Sequence, residues 1–274
     1  MATLLDPNFP ITPEGKTMHL SVGPGDVNPR ILSVGDYGRG ERISELLESV
    51  SVIKSSRGFV IFSGTYKNVP VSVVVTGMGI PMMDFMVRES THYISSKVSI
   101  IRLGTCGILK TSVKPGSIIV ARSSRFLSQN YNYPESGEPY NMSRSVQSDN
   151  GLTELLLNNL SEGLGSENVD SGVDVTCETF YSAQGRLSTR FEDFNEDLVE
   201  NIGKMEPGAA AMEMESFKLL QLASCSKGKI MASACMIGLL NRQTQEMMDF
   251  SKLHYLEIEG AKAALNTLIG FPLD

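Results

Sequence analysis

The sequence predicts an α/β fold in which a mixed or parallel β-sheet is covered by helices. Short β-type apolar runs alternate with helical patterns along the 274-residue chain, and no internal repeat or low-complexity linker interrupts them. The composition, 41% hydrophobic and 20% charged, is typical of a globular protein with a sizeable core. We therefore expect residues 1–274 to form a single domain.

The patterns predict a set of strands and a smaller set of helices. The strands are expected at 31–35, 58–66, 69–76, 99–104, 116–122, 172–176 and 230–236. The helices are expected at 38–48, 81–96, 152–162, 213–224 and 251–268. Pro81 gives the clearest helix start, because proline fits the first turn, where the backbone N–H has no partner. Residues 127–150, rich in Asn, Ser, Pro and Tyr, predict a long surface loop that serves as a lid or an interface element.

Charge and residue usage argue against several classes of protein. The net charge is −7 and there is no Lys/Arg stripe, which argues against binding of nucleic acid. No apolar run reaches the roughly 18 residues of a membrane span, and the first residues lack a secretory pattern. The four cysteines have no CxxC spacing, and the three histidines lie far apart in sequence. We expect a cytoplasmic protein with reduced thiols, no metal centre and no membrane partner.

Three segments have the pattern of a phosphate-binding turn, with small residues after a strand and an arginine nearby. They are 34–39, 76–81 and 102–107. Glycines let backbone N–H groups approach an anion, a helix start adds a favourable dipole, and Arg39 or Arg102 can bind phosphate through two parallel hydrogen bonds. The alternative is an ordinary turn, and for Arg102 an internal salt bridge. Neither GxxxxGK[ST] nor GxGxxG occurs, which disfavours nucleoside triphosphate and dinucleotide sites.

Two further segments have the residue types of a nucleoside site. Phe180 can stack on a flat base, and Gln184 offers one donor and one acceptor to an amide-like edge such as that of uracil. Arg186 supplies charge-assisted donors to a carbonyl that gains negative charge as the base departs. Glu213 and Glu215 are suited to binding a ribose diol. The alternatives are an ordinary surface loop and an acidic first turn of a helix.

Together these segments resemble the uridine phosphorylases of the nucleoside phosphorylase-I superfamily. The resemblance runs in order from about residue 18 to residue 246. Its most specific part is Phe180 with Gln184 and Arg186, which purine-cleaving relatives lack. The other parts are Met18-His19-Leu20, Gly35-Asp36 with Arg39, Ser56-Arg57-Gly58-Phe59, Gly77-Met78-Gly79, Arg102-Leu103-Gly104-Thr105, Met212 to Ser216 and Leu239-Leu240-Asn241-Arg242. The resemblance implies a three-layer sandwich with a central twisted mixed β-sheet flanked by helices.

The resemblance also implies an activity and a set of roles. The reaction is the reversible phosphorolysis of uridine to uracil and ribose 1-phosphate in pyrimidine salvage, with thymidine or deoxyuridine as side substrates, inorganic phosphate as co-substrate and no cofactor. The phosphate ligands are Gly35, Arg39, Arg57, Arg102 and Thr105; the ribose ligands are His19, Thr105, Glu213, Met214 and Glu215; the base ligands are Phe180, Gln184, Arg186, Leu239, Leu240 and Arg242. Arg102, Thr105, Gln184, Arg186 and Glu215 are the expected catalytic residues.

In the family, the equivalents of His19 and Arg57 reach the site from a partner subunit, so a homodimer with shared active sites is expected. Gly58 stands where bacterial members carry a glutamate that binds an intersubunit potassium ion, which favours a dimer over a hexamer. Cys106 stands where relatives often have Thr or Ser, and Ser182-Ala183 replaces a pair that usually contains proline or glycine. Open alternatives are cleavage of purine nucleosides or methylthioadenosine, a non-catalytic nucleoside-binding paralogue, and a thiol hydrolase that uses Cys106.

Overall fold

One mixed β-sheet organises the chain in the computed structural model, which describes residues 6–273. The strands are β1 (Arg30–Val34), β2 (Glu48–Lys54), β3 (Val60–Tyr66), β4 (Val69–Val75), β5 (Val98–Ile108), β6 (Ile118–Gln129), β7 (Tyr140–Met142), β8 (Val146–Gln147), β9 (Val169–Cys177), β10 (Ala209–Glu213) and β11 (Ile230–Asn241). The helices are α1 (Tyr37–Ser44), α2 (Ile80–Thr91), α3 (Asn150–Leu164), α4 (Leu198–Met205), α5 (Ser216–Cys225) and α6 (Leu253–Gly270), with short 3-10 helices at Ser166–Asn168 and Phe250–Lys252.

The strand order is β10-β9-β6-β11-β5-β1-β4-β3-β2, with β7 and β8 paired to β6. Strand β5 lies between two parallel neighbours, β1 and β11, and is buried along almost its whole length. Strand β10 is parallel to β9 and also pairs antiparallel with the end of β5. This second pairing closes β5, β11, β6, β9 and β10 into a ring, and the remaining strands extend from it as an open sheet.

Helices cover both faces of the sheet. One apolar core joins the sheet to α1, α3 and α6, with Leu156 and Leu265 among its fully buried members. The second core joins the other face to α2 and α5, and Met86 and Leu219 are buried there. Helix α4 packs on the ring through Ile202. The predicted α/β class, with a central mixed sheet between helical layers, is therefore confirmed.

Several predicted boundaries are wrong. The helix expected at 38–48 ends at Ser44, and the following residues form β2, an edge strand with mostly exposed side chains. The helix expected at 213–224 begins at Ser216, because Glu213 is the last residue of β10. In each case strand pairing holds one helix-favouring glutamate, Glu48 or Glu213, in extended conformation, and the residues between it and the helix form a turn or bend.

The stretch predicted as a long loop, 127–150, is partly regular structure. Strand β6 continues to Gln129, and β7 and β8 fold back against it. Helix α4 and the strands β2 and β10 were not predicted, and β5 and β11 are longer than expected. Between residues 6 and 273, no helix is long and apolar enough to cross a lipid bilayer.

Candidate active site

A cavity of about 470 Å³ opens beside the carboxyl ends of β1, β4, β5, β10 and β11. Ligands of α/β sheets are generally found at strand ends of this kind. The cavity gathers all the predicted site residues except His19, Arg57 and Arg242. Its lining is Gly35, Asp36, Arg39, Gly77, Met78, Arg102, Thr105, Cys106, Gly107, Phe180, Gln184, Arg186, Met212, Glu213, Met214, Glu215, Leu239, Leu240 and Phe250.

Arg102 is a buried cation with unused hydrogen-bond donors. Its side chain is 4% exposed, and it pairs with Glu215 through Nη2. Nε lies 3.7 Å from Glu213 Oε2, too far for a hydrogen bond, and neither Nε nor Nη1 has a hydrogen-bond partner among residues 6–273. Because buried polar groups are almost always hydrogen-bonded, these two nitrogen atoms are suited to donate hydrogen bonds to a ligand in the cavity. The predicted alternative, an internal salt bridge, therefore accounts for only part of this guanidinium.

Arg39 also lines the cavity, and hydrogen bonds to residues outside the cavity fix its guanidinium. Asp36 caps α1 by accepting a hydrogen bond from the Arg39 backbone N–H at 2.9 Å. The Arg39 guanidinium donates from Nε to Glu257 Oε1 at 2.8 Å and from Nη1 to the Leu103 carbonyl at 3.3 Å. Gly35 is close by, since a Cβ built on it would lie 3.8 Å from Arg102 Nη2. The Gly35 turn, Arg39 and Arg102 thus lie together, and we call this part of the cavity the anion end.

The two predicted ribose glutamates are rigidly placed beside Arg102. Glu213 turns back from the end of β10 and accepts hydrogen bonds from the backbone N–H groups of Glu215 and Ser216, at 2.9 to 3.1 Å. Glu215 accepts from the Gly79 N–H at 2.5 Å. Burial raises the pKa of Glu215 to about 7, even though Arg102 opposes the shift, and the Glu213 charge adds to it. Glu213 accepts a hydrogen bond from the Ser216 N–H at the start of α5, but both glutamates precede this helix and its first turn contains no acidic residue, so the alternative of an acidic first turn is wrong.

A second part of the cavity wall, which we call the base end, is formed by Phe180, Gln184 and Arg186. The Arg186 guanidinium carbon lies 3.9 Å from the centroid of the Phe180 ring, and Nε donates to the Phe180 carbonyl at 3.2 Å. Gln184 is 4% exposed, whereas Phe180 is 43% exposed. Partial burial lowers the pKa of Arg186, which forms no salt bridge within residues 6–273. This end offers an uncompensated cation and a buried amide.

The loop that carries these residues is fixed by a residue that sequence reasoning missed. Asn195 is 3% exposed, and its Nδ2 donates to the carbonyls of Ser182 at 2.9 Å and Arg186 at 3.3 Å. Gly185 has a φ of +63°, a conformation that favours glycine. Phe250, Asp36 and Gly77 also line the cavity without having been predicted as ligands. Asp36 and Gly77 could have been predicted, because both lie within the segments 34–39 and 76–81 that have the pattern of a phosphate-binding turn.

His19, Arg57 and Arg242 do not line this cavity. His19 stacks on Phe85 with ring centroids 4.0 Å apart, and its Nδ1 lies 2.5 Å from Glu89 Oε1. Arg57 is exposed in the turn between β2 and β3. Arg242 lies against the loop that carries Gln184 and Arg186, and its Nη2 donates to the Gly185 carbonyl of that loop at 3.1 Å. The binding roles of His19 and Arg57, which require a partner subunit, stay predictions.

Cys106 lines the cavity but is a poor candidate nucleophile. It is 5% exposed, and burial, with the charge of Glu213 adding to it, raises the pKa of its thiol well above the usual range. A thiol nucleophile reacts as the thiolate, which this environment disfavours. None of the three histidines lines the cavity. The geometry therefore gives no support to the thiol hydrolase alternative. Among residues 6–273 there is also no cluster of His, Cys, Asp and Glu that would hold a metal ion.

Comparison with known proteins identifies the family of the chain. Residues 29–269 match the family model of the phosphorylase superfamily. The chain belongs to the phosphorylase superfamily. Within this superfamily its relatives are nucleoside phosphorylases, so the predicted family resemblance is confirmed.

The relatives are named for different substrates, uridine in some and purine nucleosides in others. The structure of a uridine phosphorylase from the oomycete Phytophthora capsici is 34% identical, with a TM-score of 0.94, and the match covers 99% of this chain and 100% of that one. The uridine phosphorylase of Thermococcus kodakarensis is 29% identical over 78% of this chain and 74% of its own length. The DeoD-type purine nucleoside phosphorylase of Jannaschia sp. is 28% identical over 79% and 84%. Membership in this superfamily therefore leaves the base to be decided by the residues of the site.

Proposed function

We propose that this phosphorylase is a uridine phosphorylase, which converts uridine and inorganic phosphate to uracil and ribose 1-phosphate. The observation that carries the proposal is the single cavity that Arg102, with two unpaired nitrogen atoms, shares with Gln184 and Arg186. The Phytophthora capsici uridine phosphorylase, with its coverage of nearly the whole chain, supports the same choice of base.

The proposed mechanism needs neither a protein nucleophile nor a cofactor. A phosphate oxygen attacks the anomeric carbon as the bond to uracil N1 breaks, and the electron pair of that bond leaves with the base. The sugar passes through an oxocarbenium-like state, as in other glycosidic cleavage. Arg39, Arg102 and the Gly35 turn hold phosphate beneath the ring, while Thr105 and the three residues from Glu213 to Glu215 hold the ribose. Catalysis then rests on positioning and on stabilised charge at both ends.

The base end favours uracil over a purine. Uracil presents one N–H between two carbonyls, and the Gln184 amide supplies one acceptor and one donor to such an edge. The departing uracil is an anion, and Arg186, which has no acidic partner among the described residues, can donate to the carbonyl that carries the charge. Phe180 packs on the ring face, and Leu239 with Leu240 closes the apolar side. Arg242, behind the loop, supports it through Gly185.

A homodimer completes the proposed site. His19 is already oriented, because its Nδ1 faces Glu89 and leaves Nε2 directed to another group, here the ribose 5′-hydroxyl of the partner. Arg57 is exposed and has no salt bridge within 6–273, so it is free to reach a partner's phosphate. The four cysteines are free thiols, which suits a role in the cytoplasm, in pyrimidine salvage.

The reaction is tested by incubating the purified protein with uridine, with and without phosphate, and following nucleoside absorbance and ribose 1-phosphate. Phosphate-dependent loss of uridine is expected. Loss without phosphate points to a hydrolase, no loss points to a binding protein, and faster turnover of inosine or methylthioadenosine refutes the choice of base. A Gln184→Ala variant should lose uridine turnover, whereas Gln147→Ala, at an exposed position remote from the cavity, should not.

The shared site is tested by subunit mixing. His19→Ala and Arg186→Ala are each expected to be weakly active, because each lacks one ligand at every site. A mixed dimer would contain one site with both residues intact, so co-refolding the two variants should restore up to about half of the wild-type activity per mixed dimer. If mixing restores nothing although sedimentation shows mixed dimers, His19 does not act across the interface.

A further inference from the structure

A buried acid lies directly behind the candidate ribose site. Asp174 on β9 is 1% exposed, and no salt bridge joins it to a basic residue of the described chain. Its Oδ2 accepts a hydrogen bond from Ser124 Oγ at 2.6 Å, whereas its Oδ1 has no hydrogen-bond partner. Aspartate is rarely buried so completely without a compensating cation. The group does not line the cavity, so its burial needs a different explanation.

Asp174 is connected to Glu213 through one hydroxyl group. Thr176 Oγ1 lies 2.8 Å from Asp174 Oδ2 and 2.7 Å from Glu213 Oε1. The same oxygen accepts a hydrogen bond from the Phe217 backbone N–H at 2.7 Å. Three oxygen-bearing side chains therefore follow one another at hydrogen-bond distance, from the buried interior to the wall of the cavity.

The number of hydrogen atoms available to these three side chains decides which of them is protonated. Two oxygen–oxygen contacts, Asp174–Thr176 and Thr176–Glu213, each need a hydrogen between them. The Thr176 hydroxyl has one hydrogen, and the Ser124 hydroxyl, 3.1 Å from Thr176 Oγ1, uses its own in the shorter bond to Asp174 Oδ2, so the second must come from a carboxyl group. Glu213 already accepts from backbone N–H groups with both of its oxygens, as an ionised carboxylate does. The remaining source of the second hydrogen is Asp174.

We propose that Asp174 is a neutral acid that positions Glu213: it donates its proton to Thr176 and so directs the Thr176 hydroxyl toward the Glu213 carboxylate. The Glu213 oxygen that faces the interior is then saturated, and the lone pairs that face the cavity are left for the ribose. This inference rests on the proposed function insofar as Glu213 binds ribose. Asp174 is a positioning residue and touches no substrate.

The surroundings of Asp174 favour its neutral form. Burial, and after it the charge of Glu213, raises the pKa of Asp174 well above its ordinary range. If Asp174 were ionised, one of the two contacts of Thr176 would bring two oxygens within 2.8 Å with no hydrogen between them. The unpaired Oδ1 is also less costly as the carbonyl of a neutral acid than as half of a buried charge.

The proposal predicts an unusual pattern among variants. Asp174→Asn keeps a neutral side chain whose two N–H groups can donate to Thr176 and to Ser124 Oγ, the two partners of Asp174 Oδ2, so its kinetics should stay within about threefold of wild type. Asp174→Ala and Thr176→Val interrupt the hydrogen bonds from Asp174 through Thr176 to Glu213. The KM for nucleoside should therefore rise about ten- to a hundredfold, while the KM for phosphate changes little. Thr153→Val is a matched control, since Thr153 is a buried hydroxyl bonded to Ser233 Oγ at 2.9 Å, away from the cavity.

The experiment measures both KM values and kcat for these variants, with the nucleoside that wild type cleaves fastest. Equal impairment of Asp174→Asn and Asp174→Ala would show that a charged carboxylate is needed and would overturn the proposal. An equal rise of both KM values, or the same effect in Thr153→Val, would assign a purely structural role and also overturn it.

An infrared measurement tests the neutral acid without catalysis and does not depend on the alanine variant folding. Wild type near neutral pH should show the carbonyl stretch of a protonated carboxyl that disappears in Asp174→Asn; absence of that difference overturns the proposal. If wild type cleaves no nucleoside, the proposed function fails, and this spectrum still decides the state of Asp174.

Discussion

Replacing Arg186 by alanine removes the cation at the base end of the cavity. Its guanidinium stacks at 3.9 Å on Phe180 and holds the Phe180 carbonyl, so the change removes both a charge and a support for the aromatic ring. In the proposed mechanism the charge matters most when uracil departs as an anion. The variant should therefore lose stabilisation of the transition state more than binding of the ground state.

The expected loss follows from the value of such a contact. Removing one donor to a developing anion typically lowers kcat by about 10²–10³, equivalent to about 2.7–4 kcal/mol. A lysine at position 186 keeps a charge but loses the planar stack and the forked donors, so it should recover only part of the loss. Arg190→Ala is the control, because Arg190 lies in the same loop but is exposed and outside the cavity.

The assay is phosphate-dependent loss of uridine absorbance at saturating phosphate, with kcat and KM for uridine measured separately. Circular dichroism and thermal melting of each variant establish that the fold is intact. Near-normal kcat for Arg186→Ala, in a folded protein, would refute the assigned role. A loss confined to KM would mean that Arg186 binds uridine but does not stabilise the departing base.

Three further predictions test the anion end and the packing. Burial raises the pKa of Glu215 from 4.5 to about 7, so between these pH values the folded chain keeps a proton that the unfolded chain releases. The free energy of unfolding should therefore fall by about 3 kcal/mol as pH rises from 4.5 to 7. Urea unfolding of Glu215→Gln should lack this component of the pH dependence. Arg39→Ala should raise the KM for phosphate roughly 10- to 100-fold and the KM for uridine far less; equal changes in initial-rate kinetics would contradict a phosphate role. Gly64→Ala should destabilise the protein by about 1–3 kcal/mol, because the new Cβ would lie 2.6 Å from the Glu48 carbonyl oxygen. Gly163→Ala, in an open position of α3, should stabilise the protein by about 0.5–1 kcal/mol in the same denaturant titration.

Much of the site could be predicted because its residues follow strand ends in a fixed order. The parallel pairing of β1 with β5 brings Arg39, just after β1, close to Arg102 within β5, and Gln184 reaches the same cavity from the loop after β9. The alternation of strand and helix patterns likewise predicted the sheet and its two helical layers. These features depend on local patterns that persist in the folded chain.

Other features depended on tertiary contacts that no local pattern reveals. The run that forms β10 contains three successive alanines and favours a helix by propensity, but pairing with β9 and β5 makes it a strand. Asp174 has the alternating neighbours of a half-exposed strand, which would place an acid toward solvent. Its burial follows from α5 packing over β9, a contact between elements far apart in sequence.

The pairing of Arg39 with Glu257 has a consequence for the order in which the protein is completed. The two residues are 218 positions apart, one near the start of the chain and the other on its last helix. During synthesis on the ribosome, the first arginine of the anion end emerges long before the carboxylate that orients it. The proposed phosphate site is therefore assembled only when α6 has been released and has docked, so a nascent chain would bind anions weakly until then.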